Sequence, residues 1–245
     1  MAFLATLLLG LPTAMGATSA HPERGSLHVR HQRIHSPARK SSKHTRAHHK
    51  AHHKRRKTHR RHHKHPRHAH KRAARHTSNQ RPATASRDCP GAHLTPSTGN
   101  IESVEAATLC LINDERARFG EPALIEDAHL ASAATGHSHD MDARDYFEHV
   151  SPGGQTLLMR VRASGFFPND HVGYTLGENI AWGTLWLATP HAIVKAWMAS
   201  PGHRANILDR SFRYTGIGID PDLPRAMSHG QAGGMYTQDF GTIVG

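Results

Sequence analysis

Residues 21–87 cannot build a core, and that constrains the chain more than any other feature. The stretch carries 21 Lys and Arg against one acid, Glu23, and 16 of the chain's 25 histidines. Its only large apolar side chains are Leu27, Val29 and Ile34. Burying such a side chain is worth about 1.5–3 kcal/mol, whereas ordering one residue's backbone costs about 1–2 kcal/mol. The composition therefore predicts a disordered arm, kept extended by like-charge repulsion. From residue 88 onward the balance reverses, with 10 basic residues against 18 acidic ones. The overall charge of +12 thus conceals a basic arm of +20 on an acidic globule of −8. The expected division is a leader over 1–20, a disordered arm over 21–88 and a folded domain over 89–245.

The leader, MAFLATLLLGLPTAMGATSA, holds an apolar run from Phe3 to Gly16 and then small residues. That run is short for a bilayer span and reads as a secretory signal, although Lys and Arg are missing from its start. Two cysteines, Cys89 and Cys110, are the chain's full complement. In a secreted protein an isolated pair predicts one disulfide. Localisation is therefore expected to be extracellular, with cell-wall association through the arm.

Three roles are open to the arm. Its charge would release counterions from an anionic polymer such as teichoic acid, acidic polysaccharide or anionic lipid. Its paired histidines, as in AHHKAHHKRRK (47–57), would bind soft divalent metals. It would otherwise be a solvated spacer. Nucleic acid is disfavoured, because no aromatic residue is present to stack on bases.

Beyond residue 100 the hydrophobic pattern becomes periodic. Val104, Ala107 and Leu111 share a helical face in 101–119, with Asn100 as N-cap and Gly120 as stop. Asp127 caps a second helix over 128–144, and a third runs from Leu157 to Ser164. A fourth follows Thr189-Pro190, a cap followed by an N1 proline. Strand signals sit at Ile180–Trp182, Tyr214–Asp220 and Met235–Phe240. Helices without βαβ alternation argue for an α+β domain with length enough for one core.

Several motifs then occur in order: LINDERARFGEPAL (111–124), HSHDM (137–141), YFEHVSPGG (146–154), GENIAWG (177–183), WMASPGHRANIL (197–208), GIGI (216–219) and YTQDFG (236–241). Together they resemble the CAP superfamily, or SCP domain, in its bacterial secreted form. The resemblance covers about 100–245. It implies an α-β-α sandwich with a small antiparallel sheet between helical layers.

Three polar residues sit where Gly or Pro turns the chain: His149 before Ser-Pro-Gly-Gly, Glu178 within Gly-Glu-Asn, and His203 within Ser-Pro-Gly-His. Two imidazoles and a carboxylate could bind zinc, with water completing the shell, or the carboxylate could act as base toward that water. The resemblance implies a cleft lined by two His and two Glu, the His pair holding a divalent metal. His149, Glu178 and His203 match three of these positions. The fourth acid has no match, since Met198, Ala199 and Ser200 follow Trp197. The competing reading makes Glu178 a brace for its turn and the two histidines hydrogen-bonded structural residues.

His137 and His139 are two apart on a helix and point in different directions, so they cannot share an ion; His137 belongs to the core face. Asn113 and Arg116 read as scaffold tying down loops. Ser151 and Ser200 lack a nucleophile elbow. Two functions are carried forward. The favoured one is a binding module for a lipid or other apolar ligand, with a cleft able to take up zinc. The alternative is a metal-assisted hydrolase of peptide or cell-wall bonds.

Overall fold

The computed structural model describes residues 27–35 and 88–244. The leader, the AHHKAHHKRRK repeat and the rest of the arm lie outside the described residues. In chain order the elements are β1 (Leu27–His35), α1 (Ile101–Arg118), β2 (Ile125–Glu126), α2 (Ala128–Ala143), α3 (Leu157–Ala163) and β3 (Gly173–Thr184). A 3-10 turn (Leu185–Ala188) follows, then α4 (Pro190–Ala199), α5 (Pro201–Ile207), β4 (Tyr214–Asp220), α6 (Arg225–Ser228) and β5 (Gly233–Val244). One five-stranded sheet, ordered β1-β3-β5-β4-β2, is antiparallel except where the short β2 runs parallel to β4. Helices cover both faces, so the fold is the expected α+β sandwich.

The helix starts follow their local chemistry. The Asp127 side chain accepts from the backbone N–H groups of His129 and Leu130, and Thr189 accepts from Ala192 ahead of Pro190, each meeting a donor that the helix leaves unpaired. Asn100 departs from expectation. Its amide accepts from Ser97 N–H and donates to the Thr95 carbonyl, so it braces the preceding turn instead of capping α1.

Strand alternation sorts the two core layers. Ile217 and Ile219 of β4 join Tyr236 and Phe240 of β5 against α1, α4 and α5, around the fully buried Trp197. On the other face, Leu176 of β3 packs with Leu130, Leu157, Val161 and Phe166, while Ile180, Trp182 and Met235 pack with Met141 and Tyr146. Helix α2 lies directly on the sheet backbone there. A Cβ on Gly216 or Gly218 would come within 2.0 Å of the Ala131 or Thr135 amide nitrogen, and this close approach is why the strand reads Tyr-Thr-Gly-Ile-Gly-Ile.

Cys89 and Cys110 form a disulfide that ties the loop before α1 to the middle of that helix. Asn113 makes a double hydrogen bond with the Leu124 backbone. Arg116, fully buried, donates to the carbonyls of Pro122, Ile207 and Asp209. Both act as the expected scaffold.

One segment of the expected arm is ordered instead. Residues 27–35, placed in the disordered arm, form β1 along the edge of β3, with Leu27 opposite Gly183 and His35 opposite Thr175. The arm's three large apolar residues all fall within this strand. Bulk composition averaged them away, but a strand needs only a short local segment and an available edge.

Candidate functional site

Glu178 is the centre of the site. It lies in mid-strand on the α2 face of β3, between the apolar clusters of Leu176 and Ile180, and is fully buried. Three of its partners come from the α2–α3 layer. Arg160 of α3 donates from Nη2 to Glu178 Oε2 at 2.5 Å. The His149 ring, from the loop between α2 and α3, places Nδ1 2.6 Å from Oε1. His137 of α2 brings Nε2 to 3.9 Å from Oε2. Arg160 Nη1 also donates to the carbonyls of His149 and Gln155, at 3.1 and 3.2 Å. One guanidinium thus fixes both the loop bearing His149 and the carboxylate that orients its ring.

Directly across the ladder from Glu178 stands Asp239 of β5, also fully buried. Burial pushes the Asp239 carboxyl well above the usual carboxylate range, and the Glu178 charge adds to the effect. As an ionised group, neither of its oxygens would have a hydrogen-bond donor among the described residues. Keeping its proton spares the strand a second unpaired charge beside Glu178. Burial would raise Glu178 too. The hydrogen bond from His149 and the charge of Arg160 outweigh it, and hold the carboxyl well below the usual carboxylate range. Burial lowers His137 to about 4, against the pull of Glu178, so its ring is neutral near pH 7. The Tyr146 hydroxyl donates to Asp140 at 2.5 Å and lies 3.4 Å from His137 Nδ1.

His203 stands apart. It lies in α5, which Pro201 opens, and not in a loop beyond α4. Its Nδ1 is 2.7 Å from Ser200 Oγ, and its carbonyl accepts from Asn179 Nδ2 at 3.4 Å. Asn206, one turn on, donates to Asn179 Oδ1 at 3.0 Å. Asn179 faces away from Glu178, so His149 and His203 approach the edge of β3 from opposite faces of the sheet.

That arrangement bears on the expected zinc. A structural or catalytic zinc takes three or four protein ligands. Among the described residues no group of three or more His, Cys, Asp or Glu side chains is arranged to hold an ion. Glu178 is committed to Arg160 and His149, which makes it the imidazole's brace. His149 Nε2 is buried with no hydrogen-bond partner among the described residues, and is a single donor. The described side chains therefore do not complete a zinc set.

Sequence reasoning singled out His149, Glu178 and His203 and missed three members of the cluster. Arg160 was not singled out, and His137 was placed only on the core face. Asp239 was quoted within YTQDFG without a role, although period-two alternation sets it apart from Tyr236, Gln238 and Phe240.

A second feature lies beside the disulfide. Pro90, Leu94, Ala106, Ala107 and Cys110 are the main lining of a groove of about 340 Å³, within the size range of small-ligand sites.

The sequence model of the cysteine-rich secretory protein family, CAP, matches residues 109–233. An uncharacterized protein of Bacillus subtilis, YkwD, is 32% identical over 169 residues, covering 69% of this chain and 57% of that protein. A second from the same organism, the uncharacterized membrane protein YlbC, is 35% identical over 117 residues, covering 47% and 31%. The chain thus spans little more than half of one relative and a third of the other. Among solved structures, an extracellular SCP-domain protein of Bacillus anthracis is 32% identical with a TM-score of 0.42, over 60% of this chain and 41% of that one. An outer surface protein of Borrelia burgdorferi is 16% identical with a TM-score of 0.44, over 55% and 89%. With the family model matching half the chain, in register with the motif series and the helix-sheet-helix fold, the chain belongs to the cysteine-rich secretory protein (CAP) family.

Proposed function

We propose that this is an extracellular binding module, not a hydrolase. The observation that carries the reading is the state of Glu178. A general base serves best with a pKa near the working pH. Glu178 is ion-paired to Arg160 and hydrogen-bonded to His149, which hold its carboxyl well below the usual carboxylate range. Such a carboxylate is a weak base and has no open side from which to take a proton. Its work is to fix the His149 ring and the loop that carries it.

The disulfide supports an oxidising, extracellular setting. The groove beside it is the candidate place for a lipid or other apolar ligand. The arm, with 21 Lys and Arg against one acid, would hold the domain near anionic surface polymer by counterion release. A fluorescent fatty-acid probe titrated into the full chain should bind saturably, and Ala106→Trp, which fills the groove, should weaken it at least tenfold. Parallel incubation with peptide and peptidoglycan substrates, with and without zinc, should show no turnover. Metal-dependent hydrolysis abolished by Glu178→Gln would contradict the reading.

A further inference from the structure

The β1 strand does more than lengthen the sheet. It occupies the edge of β3 at the point where the two histidines approach from opposite faces, and its described side chains engage both sides of the cleft. Gln32 pairs with Glu178 in the ladder, and its Nε2 donates to Glu178 Oε1 at 3.2 Å. Arg30 pairs with Glu148 at 2.5 Å, beside His149, and lies over the Phe147 ring. Arg33 points the other way, to Asp209 and Ser211, with its guanidinium 5.1 Å from the Phe212 ring centre. From α5, Asn206 Nδ2 donates to the Gln32 carbonyl at 3.1 Å. Backbone pairing, an amide reaching the central carboxylate and two arginines each meeting an acid and an aromatic ring are the marks of strand-addition recognition, in which the ladder gives affinity and alternate side chains give specificity.

We propose that the cleft is a receptor for an extended basic peptide, bound as an added strand on β3, and that residues 27–35 are its occupant in cis. The attachment is exchangeable. The Arg30–Glu148 pair is about half exposed on both sides and therefore contributes little and weakens with salt. Residues 36–87 separate the strand from the domain, and a long connection lowers the effective concentration of a tethered occupant. A peptide in trans with similar spacing of arginine and amide side chains can then take its place. This surface is separate from the groove beside the disulfide, so the two proposals succeed or fail independently.

The test uses the full chain and a fluorescein-labelled peptide of sequence LHVRHQRIH, followed by anisotropy. The variant His31→Pro with Gln32→Pro removes two adjacent amide donors. One of them must face β3, and every residue of 88–244 is left unchanged. This variant should bind the peptide saturably, with the unsubstituted chain at least tenfold weaker. Hydrogen exchange should show the β3 amides losing protection in the proline variant and regaining it with peptide. A further variant combining the prolines with Glu148→Arg should bind several-fold more weakly than the prolines alone. Equal affinity of the unsubstituted and proline forms, no saturable binding by the proline form, or no effect of Glu148→Arg would overturn the proposal.

Discussion

Glu178 and Asp239 face each other across β3 and β5, both fully buried, and their surroundings push the two carboxyls in opposite directions, Glu178 down and Asp239 up. Two adjacent ionised carboxylates in an apolar layer would repel each other without solvent to screen them. The pair eases this by dividing the roles: Glu178 accepts from His149 and Arg160, while burial favours the protonated form of Asp239. Asparagine imitates the neutral acid, so Asp239→Asn should fold normally. A carboxyl with a raised folded pKa gives stability that is complete below its unfolded pKa and lost as pH rises through the folded one. Chemical denaturation across pH should therefore show stability falling as pH rises above about 4 in the parent, a slope that Asp239→Asn lacks. Parallel profiles would contradict the assignment.

Arg160 is the only full-time cation touching Glu178 among the described residues. Removing one partner of a buried pair typically costs about 3–5 kcal/mol, because the remaining charge is stranded. Arg160→Met and Glu178→Gln should each fall in that range in urea denaturation. The double variant strands no charge and should cost clearly less than the sum of the two. Additive losses would mean that the pair is not coupled.

His137 is neutral in the fold because burial lowers it to about 4. The unfolded chain takes up the proton more readily, so stability is full above about 6.5 and falls as pH drops from there toward 4. His137→Gln should flatten the acid side of the stability profile across that window. An unchanged acid slope would place the sensitivity elsewhere.

The backbone contact of α2 on β4 gives a steric prediction. Gly218→Ala places a Cβ 2.0 Å from the Thr135 nitrogen, and α2 must move to accept it. Overpacking of this kind costs about 1–3 kcal/mol or more. Gly99→Ala, with nothing within 4 Å, is the control and should leave the melting temperature unchanged. Equal effects would argue against the close packing.

The helices were largely legible, because Asp127 and Thr189-Pro190 announce their starts through local hydrogen bonding. His149 and Glu178 were legible as residues flanked by chain turns. Their partnership was less so. Arg160 becomes a counterion only once α3 packs on β3, and Asp239 becomes a neighbour only once the β3–β5 register is known. The β1 strand was hidden because its few apolar residues are embedded in a highly charged stretch. His203 was correctly noticed, but nothing local shows that α5 delivers it from the opposite face of the sheet.

The central claim is that Glu178 is a permanently ionised brace and not a catalytic base. Carboxyl-carbon NMR of the full chain, with Glu178→Gln identifying the resonance, measures this directly. The account predicts a Glu178 signal that stays in its ionised position from pH 8 down to the acid unfolding of the domain, as a carboxyl pulled down by Arg160 and His149 requires. A titration midpoint between pH 5 and 8 would contradict it and return the cleft to the hydrolases.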